Sequence, residues 1–551
     1  MKSIALKSAF VIVACSSVLS FAAIPEMRIT TMNNRDPSVS GTNCSGCKYV
    51  KITNFALTGA GSHNLTLTPE PQGEADSIRV RGNSTSGIAD KRPYRIKFDK
   101  KQGLFGKTPG KSWVLLANYY DGTFALNAIA FRLGQKLGLV FTPSFQFVDL
   151  YLNNSYKGIY LLTEQIQVNE GRVDVDPDYG FLVEFDYHDA ASDEVKFTSA
   201  KYSLPTFIKS PEIESNFNTN NTKIKWVKDS IDALTNKMSE NGFPTNGYRD
   251  KVDLESFAKY VLIQKLMDNF DFNNKVEGQG MTGQNMTGAP GSNYAYKDVS
   301  SRLYAGPLWD FDLAAGVSPD MGGMGGWGGG GNTCGFPAHF CMTDYTIKPS
   351  NPFYLRLWED PVFLAKLKKN WDKYQNDFKA IPTFVDSIAN LLGSSVNNNK
   401  YASSSGGMMG GSATLNTNTY NTEISKLKTW WTARMTFYGQ EINKLNIDTS
   451  KDIEQPGPHP APRPQQPPPA SIASRAKFAD GKKLVTVKNG FNINAASKAS
   501  VEILSLNGSV VRKSKYAGGN HTVRLGNMPK GLYMVKVSVD GDKLVLRVPV
   551  R

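Results

Sequence analysis

Two aspartates with the spacing of a metal site, Asp310 and Asp312, follow a short apolar run and a tryptophan in the segment 303–312. Alternate residues of a strand point the same way, so both carboxylates can face one site. Two hard oxygen ligands suit Mg²⁺ or Mn²⁺, and Mg²⁺ is usually held by one or two carboxylates together with substrate phosphates. Taken alone, the pattern also fits a solvated acidic pair at a strand end.

A second polar cluster follows a predicted helix over 253–267, for which Asp253 is a good N-cap. Just past this helix the chain packs two acids and three amides into seven residues: Asp268, Asn269, Asp271, Asn273 and Asn274. This density is unusual for a connecting turn. The two acidic clusters flank a predicted β hairpin.

A predicted strand over 77–81 runs into a glycine turn whose side chains include a guanidinium, an amide and a hydroxyl: Arg81, Asn83 and Ser84. Such a turn can hold phosphate oxygens, although a lone turn is more often only a turn. The returning strand, 91–99, carries Arg95 and Lys97 on one face. A lysine beneath the turn could contact phosphates, but a solvated basic face on an edge strand is the alternative.

Glu164 ends a strongly apolar predicted strand, so we expect it to be partly buried. A buried carboxylate needs a cation, and a strand lysine such as Lys97 is a natural partner. Another predicted strand, 181–186, places Glu184 and Asp186 on one face.

The chain has 551 residues, which is too long for one ordinary domain. Residues 1–23 have the basic start, apolar core and small-residue end of a secretory signal peptide. No other stretch approaches a membrane-spanning length, so the sequence predicts a secreted or cell-surface protein without a transmembrane segment.

Four cysteines remain after the signal peptide, in two close pairs: Cys44 with Cys47, and Cys334 with Cys341. In an exported protein an even count favours disulfides, here two local loop staples. A redox motif or a zinc site is the alternative. Two Gly/Met-rich segments, 321–331 and 406–411, are predicted to be flexible loops.

A proline-rich linker over 451–475 precedes a predicted small all-β sandwich over 476–551. Residues 471–551 hold 15 basic and 4 acidic residues, or +11 of the chain's +14, which leaves +3 for residues 1–470. The basic excess therefore lies mainly in the tail, and nucleic-acid binding by the larger part is poorly supported.

Several blocks in one order resemble the spore coat H (CotH) kinase-like family. They are the turn at 81–84 with its returning strand, and the segments 113–121, 158–165, 269–271 and 309–312. The resemblance covers residues 24–450. It implies an α+β, atypical protein-kinase-like core that transfers the γ-phosphate of ATP to Ser/Thr of proteins with the help of Mg²⁺ or Mn²⁺.

Phosphoryl transfer needs a cation on the phosphates, an acid to hold that cation, an Asp near the hydroxyl and metal-ligating acids. On the resemblance, Lys97 and Glu164 form the ion pair and Asp271 is the base-like Asp. Asp310 is the chief metal ligand, assisted by Asp312 and Asn269. Lys91 lies in the same matching block and is the rival for the lysine role.

The tail is similar, more loosely, to the C-terminal sorting domains of type IX-secreted proteins, on the segments 501–508 and 530–537. This similarity implies export through an outer-membrane secretion machinery. The function indicated is a secreted atypical Ser/Thr protein kinase acting on surface or secreted proteins. The alternative is a non-catalytic adhesion or scaffold protein on the same fold.

Overall fold

The computed structural model describes most of the chain, in these ranges: 24–39, 44, 46–68, 75–188, 194–213, 222–273, 290–299, 301–316, 340, 345–403, 411–455, 475–477, 483–487, 490–504, 510–524, 531–540 and 542–550. The predicted signal peptide, the second cysteine pair, most of both Gly/Met-rich segments and most of the linker lie outside these ranges. The chain divides into two compact units, residues 1–464 and 465–551.

The larger unit begins with eight strands that form one sheet: β1 (Glu26–Thr31), β2 (Val50–Thr58), β3 (Leu65–Leu67), β4 (Ser77–Val80), β5 (Tyr94–Gln102), β6 (Gly110–Leu116), β7 (Phe145–Leu152) and β8 (Ser155–Glu164). Their order is β1-β7-β8-β6-β5-β4-β2-β3, and β1 also pairs with β2. Because β1 pairs on both sides, the sheet closes on itself into a barrel.

The barrel interior is an apolar core. Alternate residues of the strands fill it, including Phe55, Phe98 and Trp113, all fully buried. Cys44 and Cys47 lie against this core and form the disulfide that the sequence predicted.

A second sheet of five antiparallel strands follows: β9 (Phe181–Phe185), β10 (Val195–Thr198), β11 (Pro205–Ser210), β12 (Asn293–Lys297) and β13 (Tyr304–Ala305). Its order is β10-β11-β9-β12-β13. A two-stranded ribbon, β14 (Lys400–Ser403) with β15 (Gly411–Thr414), lies later in the chain.

Eight helices belong to the described part of this unit: α1 (Leu126–Leu137), α2 (Thr222–Ser239), α3 (Leu254–Leu266), α4 (Phe270–Asn273), α5 (Pro352–Leu357), α6 (Pro361–Lys379), α7 (Ile381–Leu392) and α8 (Thr417–Lys444). The helices and the second sheet pack around one hydrophobic core. This core extends to the outer face of the barrel, where Val114 is buried. The mixture of sheets and helices confirms the α+β prediction.

Local sequence signals explain several element ends. The carboxylate of Asp253 accepts a hydrogen bond from the Ser256 backbone N–H (2.8 Å) and caps α3, as predicted. Helix α1 ends at Gly138, whose φ of 69° is the left-handed conformation that glycine adopts readily. Helices α5 and α6 are separate, because Asp360 caps a new start just before Pro361.

The smaller unit is a six-stranded antiparallel sheet: β16 (Arg475–Lys477), β17 (Lys483–Val487), β18 (Gly490–Leu504), β19 (Val510–Arg524), β20 (Gly531–Val539) and β21 (Asp542–Val550). Its own core includes Val501, Ile503, Val535 and Val537, which alternate on β18 and β20. This arrangement confirms a separate all-β module at the C-terminus.

Candidate active site

The acidic loop after β13 lies where the second sheet and the helices meet. Leu308 and Phe311 are fully buried, and the Phe311 N–H donates to the Asn127 side-chain oxygen on α1 (3.0 Å). Trp309 stacks on Phe131 of the same helix, with ring centroids 6.2 Å apart. With these neighbours anchored, Asp310 and Asp312 stay half-buried at the cleft surface.

Asp310 and Asp312 meet, but not as alternate residues of a strand, because β13 ends at Ala305 and Asp310 has a left-handed φ of 61°. Burial raises the pKa of Asp312 well above its usual range, and a hydrogen bond to the Asp310 carboxylate and the charges of Asp271 and Asp121 add to the effect. Two carboxyl groups in contact hold a proton between them unless a cation replaces it. The pair therefore has the electrostatics of a cation site.

Asn269 joins this loop to the end of α3. Its side-chain N–H₂ donates to the Gln264 side-chain oxygen (2.9 Å) and to the Asp310 backbone oxygen (3.2 Å). Its own side-chain oxygen is buried and has no hydrogen-bond partner. A buried amide oxygen without a donor is costly, and a hard cation would satisfy it.

Asp271 lies on the one-turn helix α4, half-buried, with Phe272 fully buried behind it. Its backbone oxygen accepts from the Gly291 N–H (2.8 Å), which joins α4 to the start of β12. Burial and the charges of Asp310 and Asp186 raise the pKa of Asp271 to about 8, while His188 acts in the opposite direction. The structure thus brings Asp271 and Asp310 into one electrostatic cluster.

Sequence reasoning did not assign site roles to three acids and a histidine that belong to this cluster: Asp121, Glu184, Asp186 and His188. Asp186 accepts a hydrogen bond from the His188 ring (2.5 Å) and another from the Ser292 N–H (2.8 Å). Burial opposes the His188 charge, but the Asp186 bond and nearby carboxylates raise its pKa to about 9.

A signal for two of these residues was present. Glu184 and Asp186 alternate at the end of a buried strand, which is the same pattern that singled out Asp310 and Asp312. Glu184 forms an ion pair with Lys209 on the neighbouring strand β11 (2.8 Å). Asp121 carried no comparable signal, and its carboxylate accepts from the N–H of Leu126, the first residue of α1 (2.8 Å).

The cationic turn between β4 and β5 reaches this cleft. The Arg81 guanidinium carbon lies 5.4 Å from the centroid of the Trp309 ring, next to Asp310. Gly82 has a φ of 93°, and a Cβ there would meet the Thr85 hydroxyl at 2.8 Å, so the turn requires glycine. Asn83 is exposed in the turn, and Ser84 follows it at the start of a 3₁₀ turn.

The predicted ion pair between Lys97 and Glu164 is wrong. Lys97 pairs with Ser112 across β5 and β6, whereas Glu164 pairs with Trp113, one residue further along β6. Because successive residues point to opposite faces, Lys97 lies outside the barrel and Glu164 lies on the inner face at its end. Glu164 is buried and accepts from the Ser144 N–H (2.7 Å) and hydroxyl (2.6 Å), and Lys97 is exposed.

The rival lysine is buried. Lys91 is 1% exposed, donates to the Asn399 side-chain oxygen (3.1 Å) and lies 4.1 Å from the Phe124 ring centroid. Burial lowers its pKa to about 7, although Asp121 and Asp149 favour its charge. Lys91 therefore anchors the start of β5 and offers no accessible surface to a phosphate.

Within the described ranges, no three carboxylate, histidine or cysteine side chains converge closely enough to hold a metal by themselves. The site there offers two carboxylates and one amide oxygen. This is the incomplete set that Mg²⁺ uses when substrate phosphates supply the remaining ligands.

Among the described residues, every helix is too short or too polar to span a bilayer. A comparison with the curated proteins gives no significant match. Two family models do match. The model described as a secretion system C-terminal sorting domain matches residues 487–551, so the protein is secreted or attached at the cell surface.

The second model, described as CotH kinase protein, matches residues 78–438. These 361 of the 551 residues include the cationic turn, the acidic loop and Asp271. With well over half of the sequence matched, the chain belongs to the CotH kinase family and ends in a secretion sorting domain.

Proposed function

We propose that this protein is a secreted kinase that transfers the γ-phosphate of ATP to Ser or Thr side chains of surface or secreted proteins. The main support for the proposal is that basic and acidic side chains face each other in one cleft. Arg81 approaches Trp309 from the barrel side, and Asp310, Asp312 and Asp271 lie on the other side. A polyphosphate with a divalent cation complements both walls.

Asp310, Asp312 and the Asn269 side-chain oxygen are the groups that would hold the metal. The unpartnered, buried oxygen of Asn269 and the contact between the two carboxyls both support this assignment. When bound, Mg²⁺ or Mn²⁺ neutralises phosphate charge and aligns the phosphates for in-line transfer.

The remaining roles belong to the chain itself. Asp271 would orient the acceptor hydroxyl and take its proton, since it is half-buried at the cleft beside Asp310. Arg81 would bind phosphate oxygens through its fork of N–H donors, together with the exposed Asn83 and with Ser84, which follows it in the turn. Buried Phe272 and Phe311 would hold the two loops in place behind these groups.

Transfer of labelled γ-phosphate tests the proposal. The full chain is incubated with labelled ATP and casein-like or self substrates, with Mg²⁺ and separately Mn²⁺. Asp271→Asn and Asp310→Asn keep side-chain size and replace a carboxyl group, which can take a proton or bind a cation, by a neutral amide. Label in the wild type that disappears in both variants supports the proposal.

The alternative is a non-catalytic scaffold on the same fold. Absence of both label and metal-dependent ATP binding by the folded wild type would favour it. ATP binding without phosphate transfer would support the nucleotide site and show that none of the proteins offered is the substrate.

A further inference from the structure

Three arginines lie on the outer, cleft-facing side of β4 and β5: Arg79, Arg81 and Arg95. Arg79 is directly opposite Arg95 in the register of the two strands, and Arg81 continues the same face of β4 into the turn. Arg79 and Arg81 both lower the pKa of Arg95, and burial is the larger cause of that shift. The three guanidinium groups therefore share one electrostatic environment.

No carboxylate balances this charge among the described residues, where none of the three arginines forms an ion pair with an acid. The Nε atoms of Arg79 and Arg95 are also buried without a hydrogen-bond partner. Like charges directly opposite each other on two strands are destabilising, and unpaired buried donors add to that cost. Both observations point to an anion at this surface.

Arg95 is the member best placed to meet that anion. Its Nη2 donates to the Ser112 hydroxyl (3.1 Å), which holds the guanidinium diagonally across the outer face of β6, at the level of the residue opposite Lys97. Tyr294 on β12 lies close enough to interact electrostatically with both Arg95 and Arg81. Arg79 instead lies over the Tyr49 ring, on the side of the Cys44–Cys47 disulfide.

The strand register separates Arg95 from Lys97, although both point from the same face. Arg95 is opposite Arg79, whereas Lys97 is opposite Ser77, two residues further from the turn that carries Arg81. Two residues of a strand span about 7 Å. By backbone position, Lys97 is therefore one step further from Arg81 and Trp309 than Arg95 is, and its side chain is exposed whereas that of Arg95 is half-buried.

We propose that Arg95, together with Arg81, is the cation that binds the nucleotide's phosphates, in place of a lysine held by Glu164. This inference rests on the proposed function, because it names the phosphate-binding residue of that same cleft. A guanidinium suits the task, since its planar fork donates two parallel hydrogen bonds to a phosphate and its charge needs no acidic partner to persist.

The nearby Arg172 is excluded from this role. It is buried, and its Nη1 donates to the backbone oxygens of Ser112 (2.8 Å) and Gln165 (3.1 Å). A Cβ on Gly110 would lie within 2.1 Å of its Nη2, so no space for a phosphate remains there. Arg172 supports the ends of β6 and β8.

Equilibrium binding of Mg-ATP to the full chain, measured by calorimetry, tests the inference with three variants. Arg95→Gln is expected to raise Kd by about tenfold or more, the usual effect of losing a charge-assisted hydrogen bond. Lys97→Gln, which removes the same charge from the same strand, is expected to change Kd by less than about twofold. Thermal unfolding of each variant checks that it is folded.

Arg95→Lys keeps the positive charge, so it distinguishes the loss of a phosphate contact from a defect in packing. Phosphate binding predicts an affinity between those of the wild type and Arg95→Gln. An unchanged Kd in Arg95→Gln, an equal loss in both Arg95 variants, or a larger loss in Lys97→Gln would overturn the inference and leave the kinase proposal intact. No Mg-ATP binding by the wild type would instead remove the proposed function itself.

Discussion

Arg434 in the middle of α8 lies with its Nη2 3.8 Å from the carboxylate of Asp268, and both side chains are buried. The same nitrogen donates to the Lys265 backbone oxygen at the end of α3 (2.5 Å). Asp268 directly precedes Asn269, and its φ of 47° is a left-handed conformation that non-glycine residues seldom adopt. A distant helix thus holds the turn that presents Asn269 and Asp271 to the cleft.

Replacing Arg434 by Met is expected to lower the free energy of unfolding by about 3 kcal/mol or more, because it leaves the Asp268 carboxylate buried without its cation. Urea unfolding followed by fluorescence measures the change. The control is Arg28→Met at the exposed Arg28–Glu26 pair, where the expected change is below about 1 kcal/mol. Equal losses at the two positions would show that Arg434 does not brace the turn.

Glu164→Gln is expected to weaken folding and to leave nucleotide binding nearly unchanged. The carboxylate accepts two hydrogen bonds from Ser144, and an amide can reproduce only part of this set. We expect a loss of about 1–3 kcal/mol in the free energy of unfolding. If the variant instead binds Mg-ATP tenfold more weakly at unchanged stability, Glu164 belongs to the nucleotide site after all.

The free energy of unfolding should depend on pH because the Lys91 ammonium group is buried. Its folded-state pKa of about 7 lies below the ordinary lysine value, so between pH 7 and about 10 the unfolded chain binds a proton that the folded chain does not. The free energy of unfolding contributed by this group therefore rises with pH across that window.

Urea unfolding of the wild type and of Lys91→Met at pH 6.5, 7.5, 8.5 and 9.5 measures this effect. We expect the difference between them to shift in favour of the wild type by up to about 1 kcal/mol per pH unit above pH 7. Parallel curves across the whole series would contradict the burial of the ammonium group.

Asp312→Asn should stabilise the metal-free protein and abolish its response to Mg²⁺. Burial and the neighbouring carboxylates raise the pKa of Asp312, so its negative charge is unfavourable in the folded state without a cation. Thermal unfolding with and without Mg²⁺ is the measurement. The wild type is expected to gain several degrees with Mg²⁺, and the variant to start higher and gain little.

Asp229→Asn is a matched control for this comparison, because Asp229 is an exposed acid of α2 in an ion pair with Lys225. It should leave the Mg²⁺-dependent shift unchanged. A wild type whose unfolding temperature does not respond to Mg²⁺, or an Asp312→Asn variant that responds as the wild type does, would argue against Asp312 as a metal ligand.

The sequence by itself determined the local elements and the sets of residues that could act. Asp253 predicted the start of α3, because a cap acts within the first helical turn. The spacing of Asp310 and Asp312 singled out two residues that do meet, but a loop with Asp310 in a left-handed conformation, rather than a strand, brings them together.

Only the tertiary structure decided which of these residues meet. Lys97 and Glu164 are both strand residues of suitable charge, and a one-residue difference in register puts them on opposite faces of a closed sheet. Lys91 was the rival for the phosphate-binding lysine, but it is buried and bound to Asn399, which lies 308 positions away in sequence, just before β14. Contacts between distant segments depend on register and packing, which no local pattern specifies, and this is why the cluster around Asp271 and the role of Arg95 emerged from the fold.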